Sequence, residues 1–307
     1  MDRRNFLKIL PRVAGAAAIG GLMRAGSPGG KPQPAPELVA DLVVEPQRDE
    51  GAIATPEALG SGAHETKLTP ERAVAKARDF DRTYDDDIWV EQNRWDLLVR
   101  TTARLERAQR YIGHGNFNSL GFPELIDYGR HSNDIGSFEN DELEFLEEIF
   151  QADARRYGFL GEKTIVSLEG SLKDRDLKRI AGTGHWLLQG PSLERYEQIR
   201  RDLGDSVLLT SGVRGLAKQY HLFLTKAVDT QGNLSQAARS LAPPGYSFHA
   251  IGDFDIGKLG LGSDNFTDRF AQTDEFKKLT DLGYVDIRYY EANPFGVRHE
   301  PWHIKIS

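Results

Sequence analysis

The residues of this sequence best suited to chemistry lie in its C-terminal quarter. His249, Asp253 and Asp255 fall in the stretch 243–255, Pro-Pro-Gly-Tyr-Ser-Phe-His-Ala-Ile-Gly-Asp-Phe-Asp, and Glu300 and His303 fall in Glu-Pro-Trp-His. Hydrolytic zinc takes imidazole nitrogens and carboxylate oxygens in sets of three. A fourth position stays open for a water whose pKa falls to roughly 7 on the metal. His249, Asp255 and His303 are the candidate ligands. If the chain from His249 to Asp255 is extended, those two share parity and face one side of a strand. Glu300 precedes His303 by three residues, near enough to stand beside the metal without binding it. A free carboxylate in that position is a general base.

Three motifs occur in a fixed order: Ser211-Gly-Val-Arg214, Ser247-Phe-His-Ala-Ile-Gly252 running into Asp255, and Glu300-Pro-Trp-His303. Over residues 190–307 the chain therefore resembles the zinc D-alanyl-D-alanine carboxypeptidases and dipeptidases of bacterial cell-wall metabolism, the VanY-type vancomycin-resistance carboxypeptidases included. An ordered set of motifs is more specific than any single one. The resemblance implies that His249, Asp255 and His303 bind zinc and that Glu300 is the catalytic base. It also implies that Arg214 steadies the oxyanion or the substrate carboxylate, and that Ser247 lines the substrate pocket. Gln219, on the helix after Arg214, is counted with Ser247 and Arg214 as substrate-binding. The family places its aspartate ligand one residue further from the first histidine than Asp255 stands from His249, so Asp253 is a rival ligand. Asp255 is preferred because Ile256 after it matches the apolar residue that follows the family's ligand.

The elements that must position these residues are short. Ser206–Thr210 reads as a strand delivering Ser211 and Arg214, and Leu216–Val228 as a helix with Leu216, Tyr220, Phe223, Leu224 and Ala227 inward. Ser192 is expected to cap a helix 193–203 that Gly204 ends. The residues 184–188, 285–290 and 300–306 read as strands, and 274–282 as a short helix; 257–270 reads as loops shaping the pocket. Further forward, Ile88, Trp95, Leu98, Val99, Thr102, Leu105 and Ile112 space one face of a helix over 85–112. A Gly/Asn-rich loop follows at 113–123, and a second helix, 142–157, is capped by Asn140 or Asp141, with Glu142, Glu144, Glu147 and Glu148 on a solvated face. The pattern gives an α+β fold, a small antiparallel sheet carrying the zinc site and flanked by helices, with a helical N-terminal region. His114, His185 and His221 read as surface, core or rim histidines rather than ligands.

The 307 residues hold 39 basic and 46 acidic side chains, a net charge of −7, and no cysteine. Disulfides, thiolate metal sites and cysteine nucleophiles are thereby excluded. An acidic chain also lacks the basic footprint of nucleic-acid binders. Residues 1–27, with Arg3-Arg4 before a small-residue apolar run, read as a twin-arginine export signal leading to the periplasm or cell envelope. Residues 28–70 read as a disordered linker, 71–160 as the helical region and 161–307 as the catalytic domain. The expected protein is a monomer with no stable membrane anchor after signal cleavage. Its expected activity is zinc-dependent removal of the C-terminal D-alanine from peptidoglycan stem peptides, with zinc-bound water activated by Glu300. A peptidoglycan endopeptidase, an L,D-carboxypeptidase or dipeptidase on the same site, and a zinc-dependent binding module are the alternatives.

Overall fold

Helices lead the chain and short strands follow, as the hydrophobic spacing predicts. The structure is a computed structural model and describes residues 69–306. The export signal and nearly all of the linker read from the sequence lie outside the described residues. Helix α1, Pro70–Arg78, starts with Thr69 Oγ1 accepting from Arg72 N and with Pro70 in its first turn, where a missing N–H costs nothing. Helix α2 is Trp95–Ile112. It begins ten residues later than the spacing predicts, because the acids before it are committed elsewhere. Asp87 is buried and takes hydrogen bonds from Lys76, Arg239 and Asn233, each at 2.9 Å. A buried carboxylate must be paired, and this network overrides helix propensity.

The 113–123 stretch is not simply a loop: it holds α3, His114–Phe117, and the start of α4, Phe122–His131. Helix α5, Asn140–Gln151, is capped by Glu139 in a capping box with Glu142 rather than by Asn140 or Asp141, and it ends before residue 157. Glu142 is fully buried against Arg104 at 2.9 Å, so the acidic run is not wholly a solvated face. Strands β1, Leu177–Arg179, and β2, Trp186–Leu188, form an antiparallel pair. Helix α6, Pro191–Leu203, is entered through Gly190. Ser192, the expected cap, instead donates to the Gly252 carbonyl at 2.8 Å.

Strand β3, Val207–Ser211, leads through Arg214 into α7, Leu216–Asp229. After α8, Leu234–Ala238, come β4, Phe254–Lys258, α9, Asp274–Asp281, and β5, His303–Ile304. The three strands form an antiparallel sheet in the order β3-β4-β5. An irregularity between Leu209 and Ser211 leaves Thr210 as an extra residue and sets Ser211 opposite Asp255. Such a bulge turns the strand end toward its neighbour. The stretch 285–290 is not a strand; it touches the sheet by one bridge, Ile287 to Ile304.

Among the described residues two apolar clusters carry the fold. The larger joins Leu98 and Leu105 of α2, Phe145 and Phe150 of α5, and Tyr220, Phe223 and Leu224 of α7. The smaller packs Phe254, Ile256 and Ile304 of the sheet against Tyr196 and Ile199 of α6 and Leu279 of α9. Each fully buried aromatic or branched side chain stabilises by roughly 1.5–3 kcal/mol. Both clusters meet at the motifs: Phe248 of the first precedes His249, while Ile256 and Trp302 of the second adjoin Asp255 and His303.

Gly212 links fold and motifs, since a Cβ there would lie 2.0 Å from the Trp186 carbonyl oxygen. Val213 N donates to that same oxygen at 2.8 Å, so neither backbone can yield cheaply. Gly212→Ala is expected to cost about 1–3 kcal/mol of stability, read as a lower urea midpoint at unchanged slope. An unshifted midpoint would show that the β2–β3 approach is looser than this packing implies.

Candidate metal centre

His249 is not on a strand. It sits in the single 3₁₀ turn Phe248–Ala250, and the chain reverses at Gly252, φ 125°, before β4 begins. That φ belongs to glycine, so the shared parity of an extended 249–255 is replaced by a turn that glycine permits. Asp255 and His303 come together by pairing: they stand directly opposite on β4 and β5, and cross-strand partners share a face. Glu300 to His303 is a tight turn, with His303 N donating to the Glu300 carbonyl at 3.1 Å and Pro301 at its second position. The last strand is thus only His303–Ile304, and the turn, not a strand, brings Glu300 beside His303.

The nitrogens of each histidine are distinguished by their neighbours. His249 Nδ1 lies 2.7 Å from the Gly212 carbonyl oxygen, which can only accept, so Nδ1 carries the proton. Its Nε2 is buried, makes no hydrogen bond, and lies 3.3 Å from Asp255 Oδ1. His303 turns Nδ1 to the same Asp255 Oδ1 at 3.1 Å and Nε2 to Asp253 Oδ2 at 3.1 Å. One ligand atom from each of His249, Asp255 and His303 therefore lies within 4.8 Å of the others, all three residues buried. Two ligands about 2.1 Å from a tetrahedral zinc stand ~3.4 Å apart, so the N–O separations fit the ion. With the proton on Nδ1, His249 Nε2 keeps a lone pair of the kind that binds metal ions.

Burial, reinforced by Arg214, lowers His249 to about 4, so its ring is neutral at pH 7. At His303 burial is outweighed by the carboxylates of Asp253 and Asp255, which raise it to about 9. Burial works against an ionised Asp255, yet Arg214 at 2.6 Å and His303 at 3.1 Å hold it well below the usual carboxylate range. Glu300 lacks so close a cation and burial pushes it up to about 7. Its Oε2 lies 3.9 Å from His303 Nδ1, and its carboxylate stands outside the three-ligand group.

Arg214 lines the same narrow cavity as Ser247, His249, Glu300 and His303. Its Nε donates to Ser211 Oγ at 2.9 Å and its Nη2 to Asp255 Oδ2 at 2.6 Å, which leaves Asp255 Oδ1 to the histidines. Gln219 departs from the expectation of substrate binding. Its amide is spent on the backbone, donating to the Arg214 carbonyl at 2.8 Å and accepting from Gly245 N at 2.8 Å. It braces the two motif segments against each other. Among the other histidines, His221 meets Glu106 at 2.6 Å and His185 lies 3.3 Å from Asn118, both away from the cavity. Sequence reasoning missed Tyr289, which lines the cavity with its ring 4.9 Å from that of His303. The reading of 285–290 as a strand hid it, and no motif marks it.

Residues 192–306 match the family model of VanY, described as D-alanyl-D-alanine carboxypeptidase. Solved structures similar to the chain include a vancomycin-resistance D,D-pentapeptidase VanY from a VanB-type cassette in complex with Zn(II), and VanYB in complex with D-alanine-D-alanine. Each is 21% identical, with a TM-score of 0.37, over 48% of this chain and 85% of the other. The LD-carboxypeptidase LdcB is 19% identical, with a TM-score of 0.35, over 48% of this chain and 66% of its own. No curated protein matches the sequence.

Proposed function

We propose, on the premise that residues 192–306 form a VanY-type peptidase domain, that this peptidoglycan peptidase uses zinc to remove the C-terminal D-alanine from stem peptides. The observation that carries the proposal is the convergence of His249 Nε2, Asp255 Oδ1 and His303 Nδ1 in a buried group, with Glu300 beside it and unligated. Those three residues would hold the ion, which when bound supplies Lewis acidity toward a carbonyl oxygen and lowers the pKa of water. Glu300 takes the proton from the attacking water and returns it to the leaving amine. Arg214, fixed by Ser211 and Asp255, places positive charge where the oxyanion develops. Ser247 offers a hydroxyl at the cavity wall. Burial of the site excludes bulk water, which strengthens each of these interactions.

Action on peptidoglycan places the working protein outside the cytoplasm, and the paired arginines at Arg3-Arg4 support export by the twin-arginine route. Among the described residues no helix is long and apolar enough to cross a membrane. The test is mass spectrometry of pentapeptide-stem muropeptides incubated with the zinc-loaded protein, with and without chelator. Loss of a single alanine that chelator blocks is the expected result. An internal cut would replace the carboxypeptidase by an endopeptidase, and intact peptide with zinc bound would replace catalysis by binding.

A further inference from the structure

We propose that Asp253, anchored by Arg288, is a positioning residue that aims His303 at the metal. The inference rests on the zinc reading above. Asp253 and Asp255 have equal parity at the start of β4, so both carboxylates face His303 and straddle its ring. Asp255 Oδ1 stands at Nδ1 and Asp253 Oδ2 at Nε2, each at 3.1 Å. A ring held by its far nitrogen presents the near one in one orientation and one tautomer, and the carboxylate makes that near nitrogen a stronger donor.

Asp253 is itself fixed. It is 1% exposed, accepts from Arg288 Nε at 2.6 Å through Oδ2, and accepts from Ile306 N at 2.9 Å through Oδ1. The Arg288 guanidinium is held in turn, lying 3.7 Å from the centre of the Phe248 ring, one residue before His249. The Tyr289 ring closes on His303 from another side. A chain of contacts from Phe248 through Arg288 and Asp253 thus ties the two histidines together without touching the ligand atoms. Asp253, two residues before Asp255, is on this reading an anchor rather than a rival ligand.

The competing explanation is that Asp253 merely neutralises a buried arginine. Zinc affinity of the full chain, measured by chelator competition at one pH, separates the two for wild type, Asp253→Asn, Arg288→Met and the double variant, with melting of the metal-free forms recorded alongside. Asp253→Asn is expected to bind zinc about 10–100-fold more weakly. The double variant, which removes both buried charges, is expected to recover melting temperature but not zinc affinity. If Asp253→Asn alone fails to fold, the double variant carries the test. Wild-type zinc affinity in the double variant, or in Asp253→Asn, would overturn the positioning role while leaving the three-ligand site standing. A wild-type protein that bound no zinc would overturn the metal reading itself, and this inference with it.

Discussion

Glu300→Gln is expected to lower turnover of a pentapeptide stem about a thousandfold while zinc stays bound. A positioned general acid–base contributes 10²–10⁴-fold, and Glu300 lines the cavity outside the ligand group, with its nearest arginine, Arg298, 3.8 Å away. Glutamine keeps the shape and the contact to the Tyr289 carbonyl, which is made by the backbone N–H at 2.9 Å. The loss is therefore chemical rather than structural. The pH dependence follows from the same group. A base must be deprotonated, so activity rises with pH through the Glu300 pKa and levels off above it. Burial, outweighing the pull of Arg298 and His303, pushes that value up to about 7, and a further cation in the site moves it down. The acidic limb of kcat/KM should lie at or below pH 7 and should be missing from the residual activity of the glutamine variant. Full turnover in Glu300→Gln, with zinc content confirmed by metal analysis, would remove Glu300 from the mechanism.

His303→Ala is expected to weaken zinc binding by roughly three orders of magnitude and to abolish activity. Dividing the ~12 kcal/mol typical of a protein zinc site among three ligands assigns about 4 kcal/mol to each. The variant also leaves Asp253 and Asp255 without the imidazole between them, so added zinc should restore little. His221→Ala is the matched control, since His221 pairs with Glu106 and packs on Phe117 outside the cavity. It should keep its zinc. Equal zinc content in the two variants, measured after dialysis against metal-free buffer, would rule out the proposed centre.

The long periodic elements were legible from sequence alone. Helix α7 buries the face its spacing marks, because a stripe of apolar residues repeating at helical period has one way to leave water, and α2 buries Leu98, Thr102 and Leu105 of its own but leaves Val99 exposed. Strand β3 and helix α9 were likewise legible. The start of α2 was not, because Asp87 answers to Arg239, 152 residues away along the chain. The short helices α3 and α8 span less than two turns and hold no period to read.

At the site, sequence determined the residue types: two imidazoles, three carboxylates and an arginine, in the order of the three motifs. Tertiary structure decided what each does. Strand pairing set Asp255 against His303. The turns at Gly252 and Pro301 brought in His249 and Glu300. Gln219 went to the backbone, and Asp253 was parted from Asp255 by the imidazole between them. A sequence lists donors and acceptors, but a hydrogen bond or a ligand bond acts only over about 2–3.5 Å. At that range the fold chooses which atoms meet.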